Sequence, residues 1–149
     1  MTLWIDADSC PIQVREMICR AGKRLSIPIN YVANREIPRD EKYDVTMIIA
    51  DTTPDAADDY IVENANIGDL VITRDIPFAK RLVDRSIAVI NDRGCIYTTE
   101  NISERLSMRN FMMELCSVGI IPEKTGQFGR KELNEFANAL DTEITRILK

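Results

Sequence analysis

Histidine is absent from this 149-residue chain. That removes Ser–His and Cys–His nucleophile pairs, His-ligated zinc and imidazole acid–base chemistry. Cysteine is sparse. Cys10, Cys19, Cys95 and Cys116 are scattered without C-x-x-C spacing, which excludes a zinc knuckle and a thioredoxin-type redox pair. They read as small buried hydrophobes in a reducing compartment. Long apolar runs are lacking too: the longest, such as Val45 to Ala50, have strand length, whereas a membrane span needs ~20 residues. The N-terminus, Met-Thr-Leu-Trp-Ile-Asp, starts as a strand and meets a charge at Asp6, so no secretory signal is read. The expected setting is cytoplasmic, away from any membrane. Positive charge is in deficit, with a net charge of −5, which argues against coating a nucleic-acid backbone over a broad surface. A local basic rim around an acidic centre remains compatible with it. Internal repeats and low-complexity stretches are also missing.

What is present is the balance of a globular protein, 45% hydrophobic and 29% charged residues, at a length suited to one domain. Folding at this size removes roughly 70% of the extended chain's surface from water, so the core needs no metal or disulfide staple. Strand patterns fall at Leu3 to Ile5, Ile27 to Ala33, Val45 to Ala50, Leu70 to Thr73 and Ser86 to Ile90. Helical spacing occupies Pro11 to Arg24, with Pro11 suited to a first turn, and Ile76 to Val83. Another helix is expected from Thr53-Pro54 to about Asn66, capped by Thr53 and closed by Gly68. Asn34 to Tyr43 reads as a loop and Asn91 to Gly94 as a turn. After Tyr97 the chain turns helical. Glu100 to Val118 carries Ile102, Leu106, Phe111, Met112 and Leu115; a mobile loop is expected over Gly119 to Gly129; and Arg130 to Leu148 places Phe136, Leu140, Ile144 and Ile147 or Leu148 on one stripe. Strands alternating with helices predict an α/β domain: a parallel sheet of about five strands covered on both faces, in three Rossmann-like layers. Residues 1–97 form its core and residues 98–149 a helical C-terminal third packed on it.

The aspartates are informative by position. Asp6 and Asp8 follow the first strand, Asp51 the third and Asp75 the fourth. Open parallel sheets build sites beyond the carboxyl ends of their strands, where strand order reverses. If strands one and four are neighbours, Asp6, Asp8 and Asp75 converge on one crevice. With about 100° per residue along the helix after Pro54, Asp58 falls at the edge of the sheet-facing side and Asp59 toward solvent, with Asp55 between. Helix capping is the competing role for Asp8 and Asp75, taken singly. Taken together, carboxylates ~4 Å apart repel by about 4 kcal/mol per pair at an effective dielectric near 20, so they must share protons or hold a cation. Ligation by oxygen alone selects a hard ion, magnesium or manganese, suited to phosphate chemistry.

Several blocks resemble the YaiI/YqxD family of bacterial proteins. They are Trp4-Ile5-Asp6-Ala7-Asp8-Ser9-Cys10-Pro11, Val32-Ala33-Asn34, Asp55-Ala56-Ala57-Asp58, Gly68 through Pro77 with Thr73-Arg74-Asp75 inside it, Arg93-Gly94, Glu104 through Met112, and Phe136-Ala137-Asn138-Ala139-Leu140. The resemblance runs from Leu3 to about Leu140. It implies a PIN-like fold, whose best-known members are metal-dependent ribonucleases and flap nucleases. By position it carries their acidic groups onto Asp6 with Asp8, Asp58, and Thr73 with Asp75. Asp92 stands where family members tend to have proline, so it is not counted as a ligand.

The leading expectation is a metal-dependent phosphodiesterase acting on RNA or another phosphodiester. Magnesium or manganese held by Asp6, Asp8, Asp58 and Asp75 would activate water for in-line attack, with Thr73 orienting Asp75 or a metal-bound water. Arg74, Lys80, Arg93, Arg109, Arg130 and Lys131 are candidate phosphate contacts, against the alternative of solvated helix faces. Asn34 and Asn91 would line the crevice or serve as turn residues. An aspartate-nucleophile phosphatase of the haloacid-dehalogenase type is the rival enzyme. It would use Asp6-Ala7-Asp8, Val71-Ile72-Thr73 and Lys80, but no paired acidic motif follows that lysine. A non-catalytic RNA- or protein-binding module is the third reading. A reactive Cys10 assisted by Arg15 is set aside: the spacing is one residue short of the phosphatase loop and no glycine is there to form it. Oligomeric state is not encoded in any pattern found.

Overall fold

A computed structural model describes residues 1–120 and 128–149. Its strands are β1 (Leu3–Asp6), β2 (Ile29–Ala33), β3 (Val45–Ile49), β4 (Leu70–Ile72), β5 (Ala88–Ile90) and β6 (Ile96–Tyr97), and its helices α1 (Ile12–Leu25), α2 (Ala56–Asn64), α3 (Ile76–Asp84), α4 (Ile102–Ser117) and α5 (Arg130–Leu148). They form one sheet in the order β3-β2-β1-β4-β5-β6. β1 pairs in parallel with both β2 and β4, so strand order reverses between β1 and β4.

Pleating sorts the side chains into two cores, because successive residues of a strand point to opposite faces. Leu3, Ile5, Ile29, Tyr31, Leu70, Ile72 and Ile90 point to one face, where α1 supplies Val14 and Ile18 and α5 supplies Phe136, Leu140 and Ile144. Trp4, Val32, Val71 and Val89 point to the other, against Ile61 and Val62 of α2, Phe78, Ala79 and Leu82 of α3 and Ile102 of α4. The result is three layers around a mostly parallel sheet, as the alternation of strands and helices predicts.

Several expectations need correction. The sheet has six strands. β6 is antiparallel to β5 after a turn through Gly94, which sits at φ 88°. Two residues are too short a segment to show a period. β3 is one of the two edge strands and is only half covered, leaving Ile49 58% exposed. α2 starts later than expected, at Ala56, and the residue before it is Asp55 in a left-handed conformation, so Thr53 does not cap it. α4 has the expected length, yet only Ile102 is buried; it packs on α3, and Met108, Phe111 and Met113 are all more than half exposed. On the α5 stripe the last apolar residue, Leu148, is 55% exposed, while Ile147 packs partly against the core. Most of the loop expected over Gly119 to Gly129 lies outside the described residues. Among the described residues no helix is long and apolar enough to cross a membrane.

Candidate functional site

The switch between β1 and β4 decides what meets at the carboxyl ends of the strands. Asp6 shares the parity of Trp4 and so faces α2 and α3; Thr73, just past β4, shares the parity of Val71 and faces the same way. The parallel register sets Ile5 beside Ile72, and one step further it sets Asp6 beside Thr73. Thr73 Oγ1 donates to Asp6 Oδ2 at 2.9 Å and accepts the Asp75 backbone N–H at 3.1 Å. Asp75 in turn caps α3, accepting the Phe78 N–H at 3.1 Å, ahead of Pro77 in the first turn. Thr73 therefore ties the end of β1 to the start of α3.

The electrostatics follow from burial and crowding. Asp6 is 8% exposed. Burial pushes its carboxyl above the usual range, the Thr73 hydrogen bond pulls it back, and the charges of Asp75 and Asp8 push it up again. Asp58, half-buried in the first turn of α2, is pushed up to about 7, first by burial and then by the charges of Asp6, Asp75 and Asp55, with Arg81 offsetting part of the rise. Asp59 lies on the solvent side and pairs with Arg81 at 2.9 Å. Asp8 turns toward β2 instead: its carboxylate accepts the Asn34 backbone N–H at 3.2 Å and Arg35 Nε at 3.3 Å. Asp51, past β3, is exposed and accepts the Thr52 N–H at 2.7 Å. Among the described residues no three His, Cys, Asp or Glu side chains form a ready-made metal-holding group. The donor chemistry still fits a hard dication, since Asp6, Asp58 and Asp75 offer carboxylate oxygens alone, and the charge of Asp75 raises the proton affinity of both Asp6 and Asp58.

The basic candidates are more dispersed. Arg74 forms an ion pair with Asp92. Lys80 pairs with Asp84 one turn along α3 at 2.9 Å. Arg109 reaches Asn110 at 3.0 Å, and Arg130 and Lys131 are exposed in the first turn of α5. The Arg93 guanidinium lies 5.9 Å from the Phe128 ring centre. Asn91 organises the β5–β6 turn: its side-chain oxygen accepts the Arg93 and Cys95 N–H groups at 2.9 and 2.8 Å. Cys10 is buried beside Asp92, Arg15 and Asp6, and burial pushes its thiol well above the ordinary range, the opposite of an activated nucleophile.

Sequence reasoning missed the Arg74–Asp92 pair. Asp92 is 3% exposed and fixes Arg74, the residue between Thr73 and Asp75, across the ends of β4 and β5. The available signal was its place just beyond the carboxyl end of β5, as Asp6 stands at the carboxyl end of β1. Asp69, also buried, has a structural role: it accepts from the Thr2 and Asn66 N–H groups, both at 2.9 Å, and from Trp4 Nε1 at 3.1 Å.

Comparison with known proteins adds a family and leaves its chemistry open. The sequence model of a family described as "Uncharacterized BCR, YaiI/YqxD family" matches residues 4–146. The chain is 51% identical over 149 residues to a "UPF0178 protein" of Treponema denticola, covering 100% of this chain and 95% of that protein. A "UPF0178 protein" of Treponema pallidum is 50% identical over 149 residues, with 100% and 84% covered. One of Psychromonas ingrahamii is 46% identical, with 100% and 99% covered. No solved structure matches the chain.

Proposed function

Starting from the fact that the chain belongs to the YaiI/YqxD family, we propose that it is a divalent-metal-dependent phosphodiesterase acting on RNA. One observation carries this reading. At the strand-order switch, a buried aspartate at the end of β1 is hydrogen-bonded to Thr73 beyond β4, with Asp58 and Asp75 directing their charge onto the same carboxylate-rich spot. In an open α/β sheet this is where ligands bind.

Asp6, Asp58 and Asp75 would hold magnesium or manganese, which when bound supplies Lewis-acid activation of water and neutralises charge at the leaving oxygen. The chain's own contribution is placement. Thr73 fixes one oxygen of Asp6 and so sets the orientation of its carboxylate. The cap bond to Phe78 holds Asp75 at the helix start. Asp8 and Arg35 close the β2 side of the crevice as an ion pair. Arg74, held by Asp92, Arg93, and the exposed Arg130 and Lys131 supply cations for the phosphate backbone, while Arg109 and Lys80 lie on α4 and α3.

The test is cleavage of a fluorescent single-stranded RNA with magnesium, manganese or EDTA. Wild type cleaves only with metal. Asp6→Asn and Asp75→Asn, the latter retaining a capping oxygen, lose ~100-fold or more of that activity. Cleavage that survives EDTA or Asp75→Asn refutes the reading. The unassembled ligand group favours a second reading, a binding module without catalysis. It wins if wild type and Asp75→Asn bind RNA alike and neither cleaves it.

A further inference from the structure

On the opposite face of the sheet from the acidic crevice, α1 and the segment between β2 and β3 enclose a cavity of about 240 Å³. Ile12 and Arg15 of α1 form one wall, and Pro38 and Tyr43 of the connecting segment form the other. Cys19 and Tyr31, both buried, also line it, joined Sγ to hydroxyl at 3.1 Å.

The charges around this cavity are unevenly matched. Arg39 is paired with Glu36, and Asp40 with Lys42. Glu16 is exposed and forms no ion pair with its neighbour Arg15. Arg15 itself is half-buried, its side chain makes no hydrogen bond or ion pair among the described residues, and its Nε is buried without a partner. The buried Nε–H loses its hydration with no acceptor in the chain to replace it, which is costly for a charged donor. A bound anion would offset it. The planar fork of the guanidinium matches a carboxylate through two parallel hydrogen bonds. Ile12, Pro38 and the Tyr43 ring give the lining an apolar side, while Glu16, Arg39 and Asp40 complete its rim. The volume is below the ~300–1,000 Å³ of pockets that take drug-sized ligands, so the occupant is about the size of one ring.

We propose that this cavity is a binding site for a small organic carboxylate, its anionic head on Arg15 and its apolar body against Ile12, Pro38 and Tyr43. The site is independent of the crevice: its residues belong to α1 and the β2–β3 segment, and it holds whether or not the protein cleaves RNA. No group transfer is involved.

Benzoate is the probe, followed by two-dimensional amide NMR of the full-length protein. The expected result is saturable shifts confined to amides of the first two turns of α1 and of residues 38–43. Arg15→Met keeps the stem and removes the charge; because the guanidinium bonds to nothing among the described residues and the backbone bond to Pro11 is kept, this variant folds, and it loses at least tenfold in benzoate affinity. Arg15→Lys loses an intermediate amount, since an ammonium cannot present the fork. Asp75→Asn leaves the benzoate response unchanged. The proposal is overturned if wild type shows no saturable shifts at these amides, if Arg15→Met responds as wild type does, or if inorganic phosphate at equal concentration reproduces the benzoate shifts, which would remove any need for the apolar wall.

Discussion

Replacing Asp58 by asparagine should stabilise the metal-free protein, most strongly at neutral to alkaline pH. The folded carboxyl titrates at about 7 against an ordinary value of 3.8. Below pH 4 the group is protonated in both folded and unfolded chains and costs nothing. Between pH 4 and 7 the unfolded chain releases the proton while the folded one retains it, so stability falls as pH rises, and above pH 7 the penalty is complete. Three units at about 1.4 kcal/mol each set a ceiling of about 4 kcal/mol. Asp58 is half-buried, so solvent screening reduces the effect to about 1–2 kcal/mol. For a chain of this length that amounts to roughly 3–6 °C in Tm. Thermal melts in EDTA at pH 5 and pH 8 measure it. Asp58→Asn melts higher than wild type at pH 8, with only about a third of that gain at pH 5, and magnesium narrows the gap at pH 8 by raising the wild type. If Asp58→Asn melts lower than wild type at pH 8, or gains equally at both pH values, the carboxylates do not crowd one another as described.

Three other outcomes follow from named contacts. Asp75→Ala removes the cap on α3 and costs about 1 kcal/mol in urea unfolding, whereas Asp75→Asn, able to accept the Phe78 N–H, costs much less. Asp69→Ala strands the buried Trp4 indole N–H and the part-buried Thr2 and Asn66 N–H groups and costs about 2 kcal/mol or more, with a shift in the fluorescence of Trp4, the single tryptophan. Gly94→Ala places a methyl 2.5 Å from the Glu135 carbonyl oxygen at a residue with φ 88°, so the β5–β6 turn separates from α5 and denaturant stability drops by about 2 kcal/mol or more. A Gly94→Ala protein as stable as wild type would show that this contact is not close.

Local signals carried much of this fold. Short apolar segments marked β1, β3, β4 and β5, alternation marked β2, and helical spacing marked α1, α3 and α5, because inner parallel strands are covered on both faces while a helix buries one stripe at its own period. The choice of Asp6, Asp58 and Asp75 as neighbours was likewise legible, since placing a strand end or helix turn needs only residue counting. The same counting placed α4 but not its cover: Ile102 is buried, Leu106, Met112 and Leu115 are half-buried and Phe111 is exposed, because periodicity shows that a face exists and says nothing of what covers it. Asp8, two residues from Asp6, carried the same positional signal yet turned to Arg35, and Asp92, passed over, became the buried partner of Arg74. Those outcomes depend on which side chains from other strands arrive within hydrogen-bonding distance, a matter of register and packing across 18 to 27 residues of chain. The sequence by itself determined the element order, the parity of each strand and hence which faces are apolar. Only the tertiary structure decided which charges meet and which stand alone, as Arg15 does, because Coulomb energy depends on separation in space and on water excluded by neighbours that no local pattern records.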